Sequence, residues 1–211
     1  ADGHLSSKPL RDTIRHHWQT LLVGIGVYIA VTFPFYVLIV FMNSFLSKIV
    51  GYGLDEALYT NTAAMFIVLA CIPVGAHLSD RKGRKPVMIA AALGFVLLAI
   101  PAFWLIDTHH VLYALAGQAI LAVLVGFYIS PIPALLVEIF PTSVRYTGMA
   151  LACNIAAATF GGTAPAFTTW MIKLTGDNLI VGVCVSVSAL ISLLALKFYK
   201  ETYRIPLNPA H

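Results

Sequence analysis

The sequence predicts an all-α membrane protein with six transmembrane helices, and three features carry that prediction. Of the 211 residues, 59% are hydrophobic and 10% charged, with a mean hydropathy of +0.86, whereas a soluble domain is roughly 25% charged. The apolar residues gather into six runs, each long enough to cross a hydrocarbon layer about 30 Å thick. The cations also divide unevenly. With the first run starting inside, Lys8, Arg11, Arg15, Arg81, Lys82, Arg84, Lys85, Arg145, Lys197, Lys200 and Arg204 lie inside, against Lys48 and Lys173 outside. Basic loops resist transfer across a bilayer, so the basic side is the cytoplasm and both termini are cytoplasmic.

Residues 1–17 read as a polar, basic cytoplasmic lead-in to Trp18, an aromatic suited to the headgroup layer. The first span, 18–46, exceeds the membrane thickness at ~1.5 Å per residue, so it must tilt, project outward or bend at Pro34. Residues 48–58 form an exterior loop. The second and third spans, 59–79 and 87–106, enclose a short loop in which Asp80, Arg81, Lys82, Arg84 and Lys85 crowd around Gly83. Asp107 to His110 make an exterior turn. The fourth span, 111–137, ends in Ser130-Pro131-Ile132-Pro133, where the prolines remove backbone donors and bend the chain. Glu138 to Tyr146 form a second cytoplasmic loop. The fifth span, 147–172, contains Gly161-Gly162-Thr163-Ala164-Pro165, and Gly161, Gly162 and Pro165 read as a hinge or a close helix contact. The sixth span is 179–199, completing the 18–199 bundle, and 200–211 is a cytoplasmic tail. The chain does not begin with Met, which suggests that something has been cut away.

Polar groups cost free energy inside a bilayer, so their placement marks where water or solute goes. Tyr28, Thr32, Tyr36 and Asn43 form one stripe on the first span, Gln118 and Tyr128 lie within one sector of the fourth, and Asn154 lies on the hinge-bearing face of the fifth. The first, fourth and fifth helices are therefore expected to line a hydrophilic cavity, with Asn43, Gln118 and Asn154 as the best substrate contacts, each offering a donor and an acceptor. Interhelical hydrogen bonding is the competing use for each residue. The third span has no strongly polar side chain, and the sixth has only serines, able to bond back to their own helix, so both are expected to face lipid.

No Asp, Glu, Lys, Arg or His stands in the middle of a span, so any proton-coupling group must come from elsewhere. Cys71, Cys153 and Cys184 sit in apolar runs and read as small buried side chains; no metal, cofactor or nucleic-acid partner is predicted. An intramembrane protease would need a nucleophilic serine motif and a core histidine, and neither appears. At the basic loop the expected role is a gate latch. Asp80 approaches the positive end of a neighbouring helix, while Arg81 and Arg84 reach carboxylates of a facing half. Glu138 and Arg145 flank the second loop and either pair across it or sit solvated.

Leu78-Ser79-Asp80-Arg81-Lys82-Gly83-Arg84-Lys85 resembles the loop signature of the major facilitator superfamily, G-x-L-[AS]-D-R-x-G-R-[KR], with Ala76 where the pattern has Gly. Glu138-Ile139-Phe140-Pro141 through Arg145 and Gly148 is similar to the E-x-F-P-x-x-x-R-x-x-G pattern of the sugar-porter and metabolite:proton symporter branches. The sequel from Asn154 to Pro165 resembles the metabolite:proton symporters, the carriers of proline/betaine, shikimate, citrate and 2-oxoglutarate. The resemblance implies one half, the C-terminal six helices with a 3+3 inverted repeat, of a twelve-helix fold. It also implies proton-coupled symport of a small polar metabolite by alternating access in a bacterial inner membrane. The partners implied are the substrate, protons, the lipid bilayer and the N-terminal six-helix half, or a second copy if the chain is a half-size transporter. No enzymatic activity is implied.

Overall fold

The computed structural model describes residues 9–199; Lys8, Lys200, Arg204, the Asn208-Pro209-Ala210 tripeptide and the rest of 1–8 and 200–211 lie outside the described residues. A short helix α1, Pro9–His16, leads into six helices long and apolar enough to cross a membrane. These are α2 (Trp18–Val50), α3 (Leu54–Lys82), α4 (Arg84–Ile106), α5 (Val111–Ile139), α6 (Arg145–Thr175) and α7 (Ile180–Phe198).

Several helices run further than hydropathy alone marks out. Helix α3 begins at Leu54 because Asp55 and Glu56 stand in its first turn, where the helix dipole favours acid, and the Glu56 carboxylate accepts from the Gly53 N–H at 3.2 Å. The connection from α2 therefore shrinks to residues 51–53. At the other end of α3, Gly83 adopts φ 100° and ψ 159°, a conformation closed to other residues, and its N–H donates to Ser79 O at 2.9 Å. The chain can thus leave α3 and enter α4 within one residue.

Three spans are irregular. Helix α2 widens into π turns at Val37–Phe41 and Phe45–Val50, beginning three residues beyond Pro34, where the missing N–H already disturbs the ladder. Helix α5 is interrupted at Ser130-Pro131 between Val111–Ile129 and Ile132–Ile139. Helix α6 has a π turn at Ala157–Gly161, then a turn at Gly162-Thr163 before Ala164–Thr175.

The helices pack in the spatial order α3, α5, α4, α7, α2, α6, and α2 closes the arc by touching α3 and α5 as well. The core is built from Phe45, Phe95, Phe103, Met42, Met88 and Tyr128, all fully buried. Helices α3 and α6, at the two ends of the arc, are the least buried spans. The expectation that the third and sixth helices simply face lipid needs correcting. Each has an inward face against two neighbours, and only the outward faces, Leu93, Leu97, Ile100 and Trp104 on α4 and Val187, Leu190, Leu194 and Phe198 on α7, are apolar and exposed. The serines of α7 do more than bond back to their own helix. The Ser192 hydroxyl donates to Gly26 O at 2.6 Å and accepts from Ala30 N–H at 2.9 Å, and Ser186 donates to Phe95 O at 3.3 Å. Only Ser188 among these three takes a partner on α7, Val185 O.

Candidate functional site

Two clusters of polar side chains stand out, one at the basic end of the bundle and one inside it. At the basic end, the turn at Gly83 brings the last turn of α3 over the first turn of α4. Arg84 there donates to Asp80 Oδ1 at 2.8 Å and to Ser79 O at 3.1 Å. The Arg84 Nε also lies 3.4 Å from Glu138 Oε1, at the end of α5. The Arg84 and Glu138 side chains are mostly buried, at 14% and 15% exposure, whereas Asp80 is 68% exposed. The pair with Glu138 therefore sits in the drier surroundings and carries more of the interaction. Lys85 donates to Tyr199 O at 2.7 Å, tying the same loop to the end of α7. Arg81 lies exposed beside them.

Of the two uses expected for Glu138 and Arg145, pairing across the loop or solvation, the structure shows neither. Arg145 instead donates to Phe140 O and to Thr142 Oγ1, both at 3.2 Å, and so pins its own loop. Glu138 turns to Arg84 because the α5 break at Ser130-Pro131 redirects the last helical segment, whose Ile132, Leu135 and Leu136 are buried. Asp80 answers Arg84 on the first turn of α4, within its own chain. Gly75 packs against Ser130 and Phe127, its position for a Cβ lying 3.3 Å from Phe127 Cα, so the close helix contact is made one residue before Ala76.

The residues expected to line a cavity separate into two groups. Tyr28, Thr32 and Tyr36 meet α6: the Tyr28 hydroxyl faces the Cys153 thiol, and a Cβ on Gly161 would sit 2.9 Å from the Tyr36 ring and 3.2 Å from Thr32 Cβ. The first-span stripe and the fifth-span hinge therefore pack on each other. Thr32 is buried and its hydroxyl bonds back to Tyr28 O and Ile29 O, each at 3.3 Å. Gly162 is exposed and Pro165 partly buried, its carbonyl accepting from Thr169 at 2.7 Å. Asn154 is exposed, with its amide donating to Ala150 O at 2.8 Å.

Gln118 and Tyr128 are fully buried between helices, which departs from the expected exposure to a water-filled space. The Tyr128 hydroxyl donates to Val27 O at 2.9 Å and so acts as interhelical glue. Gln118 donates to Ala114 O at 3.4 Å, leaving its carbonyl oxygen without a hydrogen bond. The Asn43 side-chain oxygen is likewise buried with no donor among the described residues. Sequence reasoning missed a third such amide: Asn61 is buried, donates to Ile39 O in the π turn at 3.3 Å, and its oxygen has no partner. Its signal was polarity, but a span placed at 59 put Asn61 at the headgroup, and only the earlier start of α3 carries it two turns inward.

Two clefts flank these groups. The larger, about 910 Å³, opens near the basic end between Trp18, Leu22, Glu138, Ala195 and Phe198; the smaller, about 460 Å³, is an apolar groove along α2, α6 and α7 past Phe33 and Phe167. Neither is lined by Tyr28, Thr32, Tyr36, Asn43, Gln118, Tyr128 or Asn154. Among the described residues, no group of three or more His, Cys, Asp or Glu is arranged to hold a metal.

Six helices long and apolar enough to cross a membrane, with an ion-pair cluster at one end of the bundle, define a multi-pass membrane protein. The chain belongs to the major facilitator superfamily, whose family model matches residues 23–211. It is 33% identical over 95% of its length to the glycine betaine/proline/ectoine/pipecolic acid transporter OusA of Dickeya dadantii, covering 40% of that protein. It is 34% identical over 92% of its length to the proline/betaine transporter of Salmonella typhimurium, of which it covers 39%. It is 30% identical over 98% of its length to the citrate-proton symporter of Klebsiella pneumoniae, covering 47% of it. The chain thus spans less than half the length of these curated relatives, and no solved structure matches it.

Proposed function

We propose that this chain is the C-terminal six-helix half of a proton-coupled symporter that moves a small polar metabolite across a bacterial inner membrane by alternating access. It is a carrier and not an enzyme, with both termini cytoplasmic and its bundle completed by an N-terminal six-helix half. The observation that carries this reading is the conjunction of superfamily membership with buried amide oxygens on Asn43, Asn61 and Gln118 that have no donor among the described residues. A buried acceptor left unmade costs about 1–3 kcal/mol, so such groups persist where another molecule completes them in part of a working cycle. Substrate contacts are assigned to Asn43, Gln118 and Asn154, with Tyr28, Thr32, Tyr36 and Tyr128 lining the approach as the helices shift. The hinge is Gly161, Gly162 and Pro165. Relatives named for proline, betaine, ectoine and citrate support a zwitterion or an organic acid as substrate.

The proton-coupling carboxylates belong to the complementary half, since no ionisable residue stands mid-span here. Asp80, Arg81, Gly83, Arg84, Lys85, Glu138 and Arg145 form the cytoplasmic gate. Uptake of labelled proline, glycine betaine and citrate by proteoliposomes of the assembled carrier under an imposed pH gradient tests the reading. Substrate accumulation with stoichiometric loss of external protons is expected. Downhill flux indifferent to the pH gradient would overturn symport, and full activity of this chain alone as a dimer would replace the two-half assembly. Asp80→Asn should slow uptake while leaving membrane insertion intact.

A further inference from the structure

We infer that α1 is a membrane-surface anchor, lying in the headgroup layer of the bilayer with its basic edge on anionic lipid phosphates. The helix packs one side against α2 and the start of α6, burying Thr13. Its outer side carries Leu10 and Ile14, and the four-residue step continues through Trp18 to Leu22. All four are between 51% and 57% exposed. The bend at His17 does not break that register, because His17 N–H still donates to Thr13 O at 3.0 Å and Leu21 N–H to His17 O at 2.9 Å. Arg11 and Arg15 are exposed beside the apolar stripe, and Asp12 is half-buried on the side of the helix away from it. An apolar stripe bordered by cations, at the mouth of a membrane span, matches the acyl–headgroup boundary of an anionic leaflet.

The stripe's continuation argues for lipid over a protein partner. Trp18 and Leu22 line the larger cleft together with Ala195 and Phe198 of α7. The outward side of α7, with Val187, Leu190, Leu194 and Phe198, is an apolar surface of the kind acyl chains cover. The α1 stripe therefore extends a surface already turned to the bilayer, and not the exposed edges of α3 and α6 at the two ends of the arc.

Spin labels test the placement in the assembled carrier, with Cys71, Cys153 and Cys184 replaced by alanine and a cysteine introduced by Leu10→Cys, Ile14→Cys or Arg11→Cys. In vesicles containing phosphatidylglycerol, labels at positions 10 and 14 should relax with dissolved oxygen and be shielded from a water-soluble nickel chelate. The label at 11 should show the lesser shielding. Arg11→Gln and Arg15→Gln should each lower the docked-to-free ratio about five-fold, and replacing phosphatidylglycerol by phosphatidylcholine, which removes both attractions at once, should lower it about 25-fold. Nickel access at 10 and 14 would overturn the anchor in favour of a solvated helix; exclusion of both relaxants would show a protein surface covering the stripe and overturn it equally. If the cysteine-free carrier does not fold, quenching by lipids brominated near the headgroup decides instead. The fluorescence lost on Trp18→Phe must be quenched, and its insensitivity would sink the proposal.

Discussion

At the scale of single residues, Arg84 is the side chain on which most of the basic end depends. Removing it leaves Glu138 mostly buried with its facing charge gone, so Arg84→Gln should lower stability by about 2 kcal/mol in a detergent thermal melt. Lysine at this position should not restore the loss, because a point charge cannot reach Asp80 and Glu138 from one planar fork. Asp80→Asn should change the melt by less than about 0.5 kcal/mol, since that carboxylate is largely in water. A stability loss for Asp80→Asn equal to that of Arg84→Gln would show the weighting of the two pairs to be wrong. Tyr52, in the 51–53 connection, supplies a pH test. Burial, with the Asp107 and Glu56 carboxylates nearby, pushes its hydroxyl above the usual value, against a hydrogen bond with Thr108 and one with the His110 backbone. A raised value means that its contribution is present below about pH 10 and is lost as pH climbs through the folded-state value. Tyr52→Phe should therefore flatten the alkaline limb of the stability profile and lower its neutral plateau by about 1 kcal/mol, through loss of the hydrogen bond to Ile106 O.

At the scale of elements, the joint between α7 and its two neighbours depends on small and hydroxylated residues. Gly182 lies so close to α4 that a Cβ would stand 2.9 Å from Ile100 Cα and 3.0 Å from Ala99 O, both backbone atoms unable to step aside. Gly182→Ala should cost about 1–3 kcal/mol by overpacking, read as a fall in melting temperature. On the other side, Ser192 inserts its hydroxyl between Ala30 N–H and Gly26 O, a donor and acceptor one turn apart on α2. Ser192→Ala lets those two groups close on each other, so a loss of only about 1 kcal/mol is expected. A larger loss would mean that α2 cannot straighten there. Tyr36, which leads into the first π turn of α2, packs on Gly161 at the end of the α6 π turn, so the two irregular helices share a seam there.

At the scale of the whole molecule, the arc is uneven in a way that bears on assembly. Helices α3 and α6 expose large apolar side chains such as Phe66 and Ile155, while α4 and α7 expose Leu97 and Leu194. If a second half completes the carrier, cysteines introduced by Phe66→Cys and Ile155→Cys should crosslink to it, whereas Leu97→Cys and Leu194→Cys should meet only lipid. The reverse pattern would place the partner on the wrong side of the arc. The far end is fastened separately: Asn178 donates to Asp107 at 2.8 Å and Tyr52 to Ile106 O at 3.3 Å, so the connections opposite the charge cluster are clamped as well.

Much of this was written in the chain itself. Hydrophobic run length and the bias of basic residues specify six crossings, because the bilayer demands a continuous apolar surface whatever the neighbours are. The glycine at position 83 and the prolines at 131 and 133 mark turns and breaks for reasons internal to the backbone. Pairing was not legible in the same way. Glu138 is closer in sequence to Arg145 than to Arg84, and only the redirected end of α5 decides between them. Periodicity set Gln118 and Tyr128 on one sector of α5 but said nothing of what that sector meets; both are fully buried, and Tyr128 bonds to Val27 O where α2 crosses the bundle. A helix wheel records direction about one axis, whereas partners depend on the depth and angle at which two axes meet, and those are set by packing between segments far apart in the chain.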